Sequence, residues 1–341
     1  MKMTFQKLVI GTSMAIGVSA LATAPAHATS FSFNNPNEIR TYTGGSNGTF
    51  KANDTVAASK ALSDNNPSSN VELWYSTENP TSNVGFTATQ ENYSATVTSV
   101  TASDWNSFGS QWLSDLLNYY TPFKSVWNGF SPTTQSLIAS YFPLLGMGDP
   151  NIGSFQFGQN GGVDLTLVGH LDVKTKLSDT LSTKLNEAWN GGVKLLFPTN
   201  TSLATASQVQ AKISSLQLTL NSPLTPPATK STLTVQISQL TSFKDLLNFQ
   251  AALKVYQGEI GASEIAKVVT DNKTYYAYSF NPTASGITAS DDGVSYSAYY
   301  TWHTPGYTAP PKKVPESSVI LGLLGVAGVF TTQRKLKKVF I

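Results

Sequence analysis

The hydrophobic period of this chain changes twice, and that change limits its fold more than any single residue does. From Thr29 to about Thr101, apolar residues alternate in short runs such as "VELWYS" (71–76), "VGFTAT" (84–89) and "YSATVTSV" (93–100). These runs are rich in β-branched and aromatic residues and are separated by "DNNPSSN" and "ENPTSN", so they read as strands joined by turns. A helical period then takes over. Trp105, Phe108, Trp112, Leu116 and Tyr119 predict a helix from Asp104 towards Tyr120, with Ser103 as a cap and Thr121-Pro122 as its end. Ser131-Pro132 begins a second helix, serine at the N-cap and proline at the first helical position. Further helical patterns span about 177–189, 204–216 and 242–257, with "NSPLTPPATK" (221–230) as a proline-rich connector.

Between and after these segments the period returns to two. "DPNIG" (149–153) reads as a turn, followed by strands across "SFQFG" and "VDLTLVGHLDVKT". In the second strand Val163, Leu165, Leu167, Leu171 and Val173 would share one face; Asp164, Thr166, His170, Asp172 and Lys174 would share the other. "SEIAKVVTDNKTYYAYSF" predicts a hairpin turning at Asp271-Asn272-Lys273. A last strand puts Val294, Tyr296, Ala298, Tyr300 and Trp302 on one side. Strands, then helices, then strands predict an α+β fold with a helical middle packed on a mainly antiparallel sheet. The boundaries expected are a signal peptide over 1–28, an ectodomain over 29–303, a Pro-rich tether over 304–313 and a terminal signal over 314–341.

The two ends have a different character. Lys2 and Lys7 precede an apolar stretch from Leu8 to Ala22, and "APAHA" places Ala26 and Ala28 in the small-x-small pattern of a signal-peptidase site. Cleavage is expected after Ala28. Of 22 basic residues, two lie in that leader and six after Pro311, whereas Glu316 is the one acid of 20 outside the central region. The central 283 or so residues are therefore acidic by about five charges, although the whole chain carries +2. An acidic body lacks the concentrated basic face that nucleic-acid binding needs. The absence of cysteine excludes thiol catalysis and thiolate metal sites, and a body this long can be held by its core without disulfides.

Chemistry-bearing patterns are sparse. "GGSNG" (44–48) matches a nucleophile elbow around Ser46, but no buried strand precedes it and no helix follows, so a loop is expected. His170 and Asp172 would be i,i+2 neighbours on a strand without a placed nucleophile, and His303 reads as a surface residue. Two histidines after the leader, of three in the chain, and no His-x-x-x-His argue against a metal site, and no cofactor motif appears. Glu259 and Glu264 are conceivable as a glycosidase pair, yet only their separation in space decides that. Asp291 and Asp292 lack the spacing of a calcium loop and read as turn residues. Trp74, Trp105 and Trp112 are expected in the core with Phe108. Tyr275 and Tyr299 are the better candidates for exposure, since they face away from the apolar sides of their strands, and a glycan would meet them first.

The C-terminus reads "VPESS" (314–318), "VILGLLGVAGVF" (319–330) and a cluster of Arg334, Lys335, Lys337 and Lys338. In this order the segment resembles the PEP-CTERM sorting signal, with Val314, Pro315, Glu316 and Ser317 in the motif and Ser317 where the family has a second proline. The resemblance implies recognition by an exosortase in the membrane and delivery to the cell surface or its polysaccharide matrix. "VELWYSTENP", "GDPNIG" and "ASEIAKVV" are similar to ectodomains of cyanobacterial members of the same group, a likeness that carries no activity. From Ser317 to Thr332 sixteen residues carry no charge, about 24 Å of helix. That is short for a permanent transmembrane helix, and the lysines beyond it favour the inner side of a membrane. The expected partners are signal peptidase, an exosortase and extracellular polysaccharide. The expected function is a structural, adhesive or interaction role outside the cell; the alternative is a secreted hydrolase or a glycan-binding module.

Overall fold

A computed structural model describes residues 29–43, 49–52, 54–64, 66, 69–288 and 296–310. The signal-peptidase site (Ala26, Ala28), Ser46, Asp291, Asp292, the sorting motif Val314–Ser317 and the basic cluster Arg334, Lys335, Lys337 and Lys338 lie outside the described residues. Among those described, the strands in chain order are β1 (Ser30–Phe33), β2 (Ile39–Thr43), β3 (Thr49–Ala52), β4 (Asn70–Leu73), β5 (Gly85–Gln90), β6 (Tyr93–Thr98), β7 (Asn151–Phe157), β8 (Val163–Val168), β9 (Leu171–Asp172), β10 (Gly261–Ala262), β11 (Ala266–Thr270), β12 (Lys273–Ala277), β13 (Thr283–Thr288) and β14 (Tyr296–His303). The helices are α1 (Thr55–Ser63), α2 (Ala102–Tyr119), α3 (Thr121–Asn128), α4 (Pro132–Ala139), α5 (Val173–Asn190), α6 (Ala206–Asn221) and α7 (Pro227–Val255).

The fold is α+β, and every strand pairing is antiparallel. Two large sheets replace the single sheet expected from the pattern. One is ordered β1-β5-β6-β11-β12 and the other β13-β14-β8-β7-β4-β2-β3, while β9 and β10 form a separate short pair. The two sheets face each other across an aromatic layer. Phe155 of the larger sheet meets Phe31 and Phe86 of the smaller at 5.9 and 5.8 Å. Tyr93 meets Phe157 at 6.0 Å, and Tyr275 meets Trp302 at 6.3 Å. Sheets that bury one face each must stack in this way. Helix α1 packs against β2, β4 and β7, and against the edge strand β1, covering part of the sandwich core with Ala58, Ala61 and Leu62.

The helical middle holds a second core. In α5, Leu177, Leu181, Leu185 and Trp189 recur every fourth residue and are all buried. Helix α5 packs on α7, and these side chains share one core with Leu240, Phe243, Leu246, Phe249 and Leu253 of α7 and with Phe108, Trp112 and Leu116 of α2. Spacings of three and four residues place these side chains on single faces, so the helices must pack together to leave water. Helix α7 starts at Pro227, well before the expected 242, because proline at the first helical positions suits a helix N-terminus. At 29 residues α7 spans about 43 Å and packs on α4, α5 and α6.

Other boundaries moved for identifiable reasons. Thr101, not Ser103, caps α2, because its hydroxyl accepts from the Asp104 amide while the Asp104 carboxylate accepts from the Thr101 amide. Thr121-Pro122 opens α3 instead of merely ending α2. "DPNIG" is not a turn: β7 already begins at Asn151, and a bulge between Ile152 and Ser154 lets Ile152 and Phe155 both point inward. The predicted strand over 163–175 breaks at Gly169, whose φ of +111° bends the chain into the short β9 and then α5. At the Asp271-Asn272 hairpin both turn residues adopt positive φ, as the sequence led us to expect of a tight turn.

Trp112 is fully buried at the centre of the helical core. Trp112→Ala should cost about 3–5 kcal/mol of stability, read as a lowered midpoint in urea unfolding.

Candidate functional site: a groove at the seam of the two cores

The strap from Gly146 to Pro150 joins the helical layer to the sandwich. Val100 donates its amide to the Gly148 carbonyl at 2.7 Å, and Ile265 donates to the Met147 carbonyl at 2.9 Å. Leu73 donates to the Pro150 carbonyl at 3.1 Å. The approach at Gly148 is too close for a side chain, since a Cβ there would sit 2.3 Å from the Val100 oxygen. Above this strap lies a groove of about 370 Å³. Pro80, Trp105, Phe108, Pro143, Met147 and Ile265 supply its apolar surface, and Asn79, Thr81, Thr101 and Ser103 its amide and hydroxyl groups.

The indole of Trp105 is held by aromatic neighbours: it lies parallel to Phe142 at 6.3 Å and meets Phe108 edge-on at 5.1 Å. The groove end of α2 is fixed from below by Asp104. Burial alone would raise that carboxyl, but hydrogen bonds from Lys267, Asn83 and Thr101 outweigh it and hold it at about 2. The one charged side chain in the groove wall, Glu78, is met by the Lys176 ammonium at 2.7 Å. The lining is thus close to neutral, with an anchored aromatic plate and several short polar groups. Such a surface suits stacking and hydrogen bonding of an uncharged ring better than attraction of an ion.

Beneath the strap, three carboxyl groups approach one another. Asp149 is 7% exposed, and its carboxyl is pushed up to about 8 by burial first and by the nearby Glu72 next. Glu264 is likewise pushed well above the usual range by burial, then by Asp149 and Glu72. Asp149 Oδ1, Glu264 Oε2 and the Asn151 side-chain oxygen are sealed from solvent without a hydrogen-bond partner. Tyr42 donates to Glu72 at 3.1 Å. Among the described residues, no group of three or more histidine, cysteine or acidic side chains is placed to hold a metal ion.

The residues singled out from sequence fall elsewhere or in other company. Glu264 joins Asp149 and Glu72, whereas Glu259 is exposed and contributes nothing to that cluster. His170 and Asp172 do not share a strand face: the His170 ring hydrogen-bonds the buried Tyr300 hydroxyl at 2.6 Å, and Asp172 caps α5 through the Thr175 amide. His303 is more than a surface residue, lying 3.1 Å from Asp164 Oδ1 and stacked on Tyr307 at 4.8 Å. Tyr275 and Tyr299 are only partly exposed, and Tyr275 packs on Trp302. Trp112 and Phe108 are core as expected, while Trp105 is only partly buried and lines the groove. Trp74 lies just past β4 at positive φ, not within a strand.

Nothing in the periodicity pointed to Glu78, Pro80, Met147 or Gly148. The usable signal was "GMGDP" (146–150), where two glycines around a methionine mark a close backbone approach.

The raised carboxyls give the fold a definite pH dependence. Asp149 and Glu264 hold their protons more tightly folded than unfolded, so the stability they permit is complete in acid and is lost as pH rises. For Asp149 the window runs from its ordinary value of 3.8 to about 8. Stability should fall across that window, by up to about 1.4 kcal/mol per pH unit for each such group. Asp149→Asn should flatten the slope and raise the melting temperature most at pH 8, as differential scanning calorimetry would show.

This chain matches no protein-family model, no curated protein and no solved structure, so its own geometry has to carry the functional reading.

Proposed function

We propose that this chain is an exported protein, delivered to the cell surface or extracellular matrix by an exosortase-type system, whose body acts there by non-catalytic contact. Its groove would engage uncharged segments of extracellular polysaccharide. The observation that carries the contact reading is the character of the groove: an immobilised indole flanked by threonine, serine and asparagine, with its single carboxylate neutralised by Lys176. Sugar rings present an apolar face to such a plate and hydroxyl groups to its rim.

Export is supported by the leader ending at Ala26 and Ala28, and sorting by the order of motif, apolar segment and basic cluster over 314–338. In this reading residues 319–330 form a transient transmembrane helix, held at its inner end by Arg334, Lys335, Lys337 and Lys338. Among the described residues no helix is long and apolar enough to cross a membrane. The hydrolase alternative needs an acid and a base that touch substrate. The carboxyl groups that converge here have sealed oxygens below the strap, which favours a binding role.

Deletion of Val314 to Ser317, or loss of the exosortase, should leave a larger, membrane-held form in fractionated cells carrying an epitope-tagged body. Unchanged size and location in both would sink the sorting reading. Trp105→Ala should weaken retention on neutral polysaccharide in affinity electrophoresis by about 0.5–1.5 kcal/mol, a stacking contribution of ordinary size. Equal retention of both forms would remove the groove from the account.

A further inference from the structure

The register of the strands gives the sandwich two unlike poles. At one pole the chain crosses to the helices: β6 leaves after Thr98, β8 after Val168, and β7 and β11 start at Asn151 and Ala266. These points are neighbours, since Asn151 pairs with Val168, Gly85 and Lys267 pair with Thr98, and Val100 bonds Gly148. At the other pole lie the tight turns between β5 and β6, β7 and β8, and β11 and β12. Thr270 bonds the Ser94 carbonyl and Tyr93 bonds the Gln159 carbonyl, which draws the three turns together.

Both ends of the described body emerge at this turn pole. Thr29 donates to the Gln90 side chain at 2.8 Å, beside the β5–β6 turn. Residues 304–309, expected to act as a tether, are held on the β7–β8 turn. Gln159 donates its amide to the Thr308 carbonyl at 2.9 Å and its side chain to the Ala309 carbonyl at 3.0 Å. Asn160 donates to the Gly306 carbonyl at 2.7 Å, and Val163 to the Thr304 hydroxyl at 2.9 Å. Tyr307 stacks on His303. The chain is therefore clasped as far as Ala309. The five links from Ala309 to Val314 reach at most about 18 Å.

We infer that the body is held against the membrane by its turn pole and presents the helical pole, with the groove and the α6–α7 arm, away from it. This rests on the export reading above. The short leash leaves the start of the sorting motif within about 18 Å of its clasp on the turn around Asn160, beside the turns at Asn92 and Asp271, so the membrane and the sorting enzyme work against that surface. The arm has the opposite exposure. Leu224 at its apex is 89% exposed, and residues 188–244 contain four lysines and no acid, unlike the acidic body.

The natural absence of cysteine makes the test direct. Asn92→Cys marks the turn pole and Thr229→Cys the arm, both at exposed positions. The full chain is kept as its membrane-held form in cells lacking the exosortase. Spheroplasts and detergent-solubilised protein are then labelled with a bulky, membrane-impermeant polyethylene-glycol maleimide. Thr229→Cys should react equally fast in both samples, and Asn92→Cys several-fold more slowly on spheroplasts. A flexible Gly/Ser insertion of about ten residues after Pro310 should restore the Asn92→Cys rate. Equal rates at the two sites without the insertion, or slower reaction at Thr229→Cys, would overturn the pole assignment while leaving export intact. Reaction at neither site until detergent is added would overturn the export reading and this inference with it.

Discussion

The helical core and the sandwich are joined at one seam, where the Gly146–Pro150 strap bonds Val100 and Ile265 through Gly148 and Met147, and where Asp104 meets Lys267 and Phe108 stacks on Tyr276. The sandwich closes around Phe86, Phe155 and Tyr300, and the helical layer around Trp112, Leu181 and Phe249, with Tyr276 and Tyr278 reaching into it from the sheet side. The five-residue strap between them bonds its backbone just past β6, at the end of β4 and in the β10–β11 connection. A side chain at Gly148 would push that strap away from Val100. The groove exists because the strap forms its floor, and the carboxyl cluster is buried because the same strap forms its roof.

This arrangement separates two roles that look alike in a sequence. Asp104 and Asp149 are both acids in the seam, yet their protons behave oppositely. Asp104 has Lys267, Asn83 and Thr101 as donors and stays ionised far into acid. Asp149 faces other carboxyls and an unpartnered amide oxygen, and keeps its proton to about 8. Deeper burial raises Asp149 first and its carboxyl neighbours next, whereas the donors around Asp104 outweigh a shallower burial. The seam is thus locked on one side by an ion pair and on the other by protonated carboxyls.

Much of the secondary structure was legible. The stripes Phe108–Trp112–Leu116 and Leu177–Leu181–Leu185 announce helices because core burial repeats at their own period, and Ser131-Pro132 announces α4 through cap chemistry. The α+β class followed from that. The second sheet did not, because strand pairing joins β6 to β11 across about 170 residues and no local pattern encodes such a partner. His170 and Asp172 misled for a local reason: a single glycine at positive φ ends the alternation that seemed to unite them. The groove was almost invisible, since its walls come from segments 78–81, 100–108, 143–148 and Ile265. Of its lining, Trp105 and Phe108 stand out in the sequence as core and Ser103 as a helix cap, none of them as part of a groove.

The clasp on residues 304–309 also has a mechanical side. Strand β14 runs towards the turn pole and lies between β13 and β8, bonded to β8 from Tyr299 to His303. Tension on the C-terminal chain therefore pulls β14 along its own axis, and the β8–β14 ladder bears the load in shear, with all its hydrogen bonds strained together. Pulling across the strands would instead open them one pair at a time, at much lower force. Any pull on the chain beyond residue 309 would thus meet the fold in its strongest geometry, at the point where the chain leaves it.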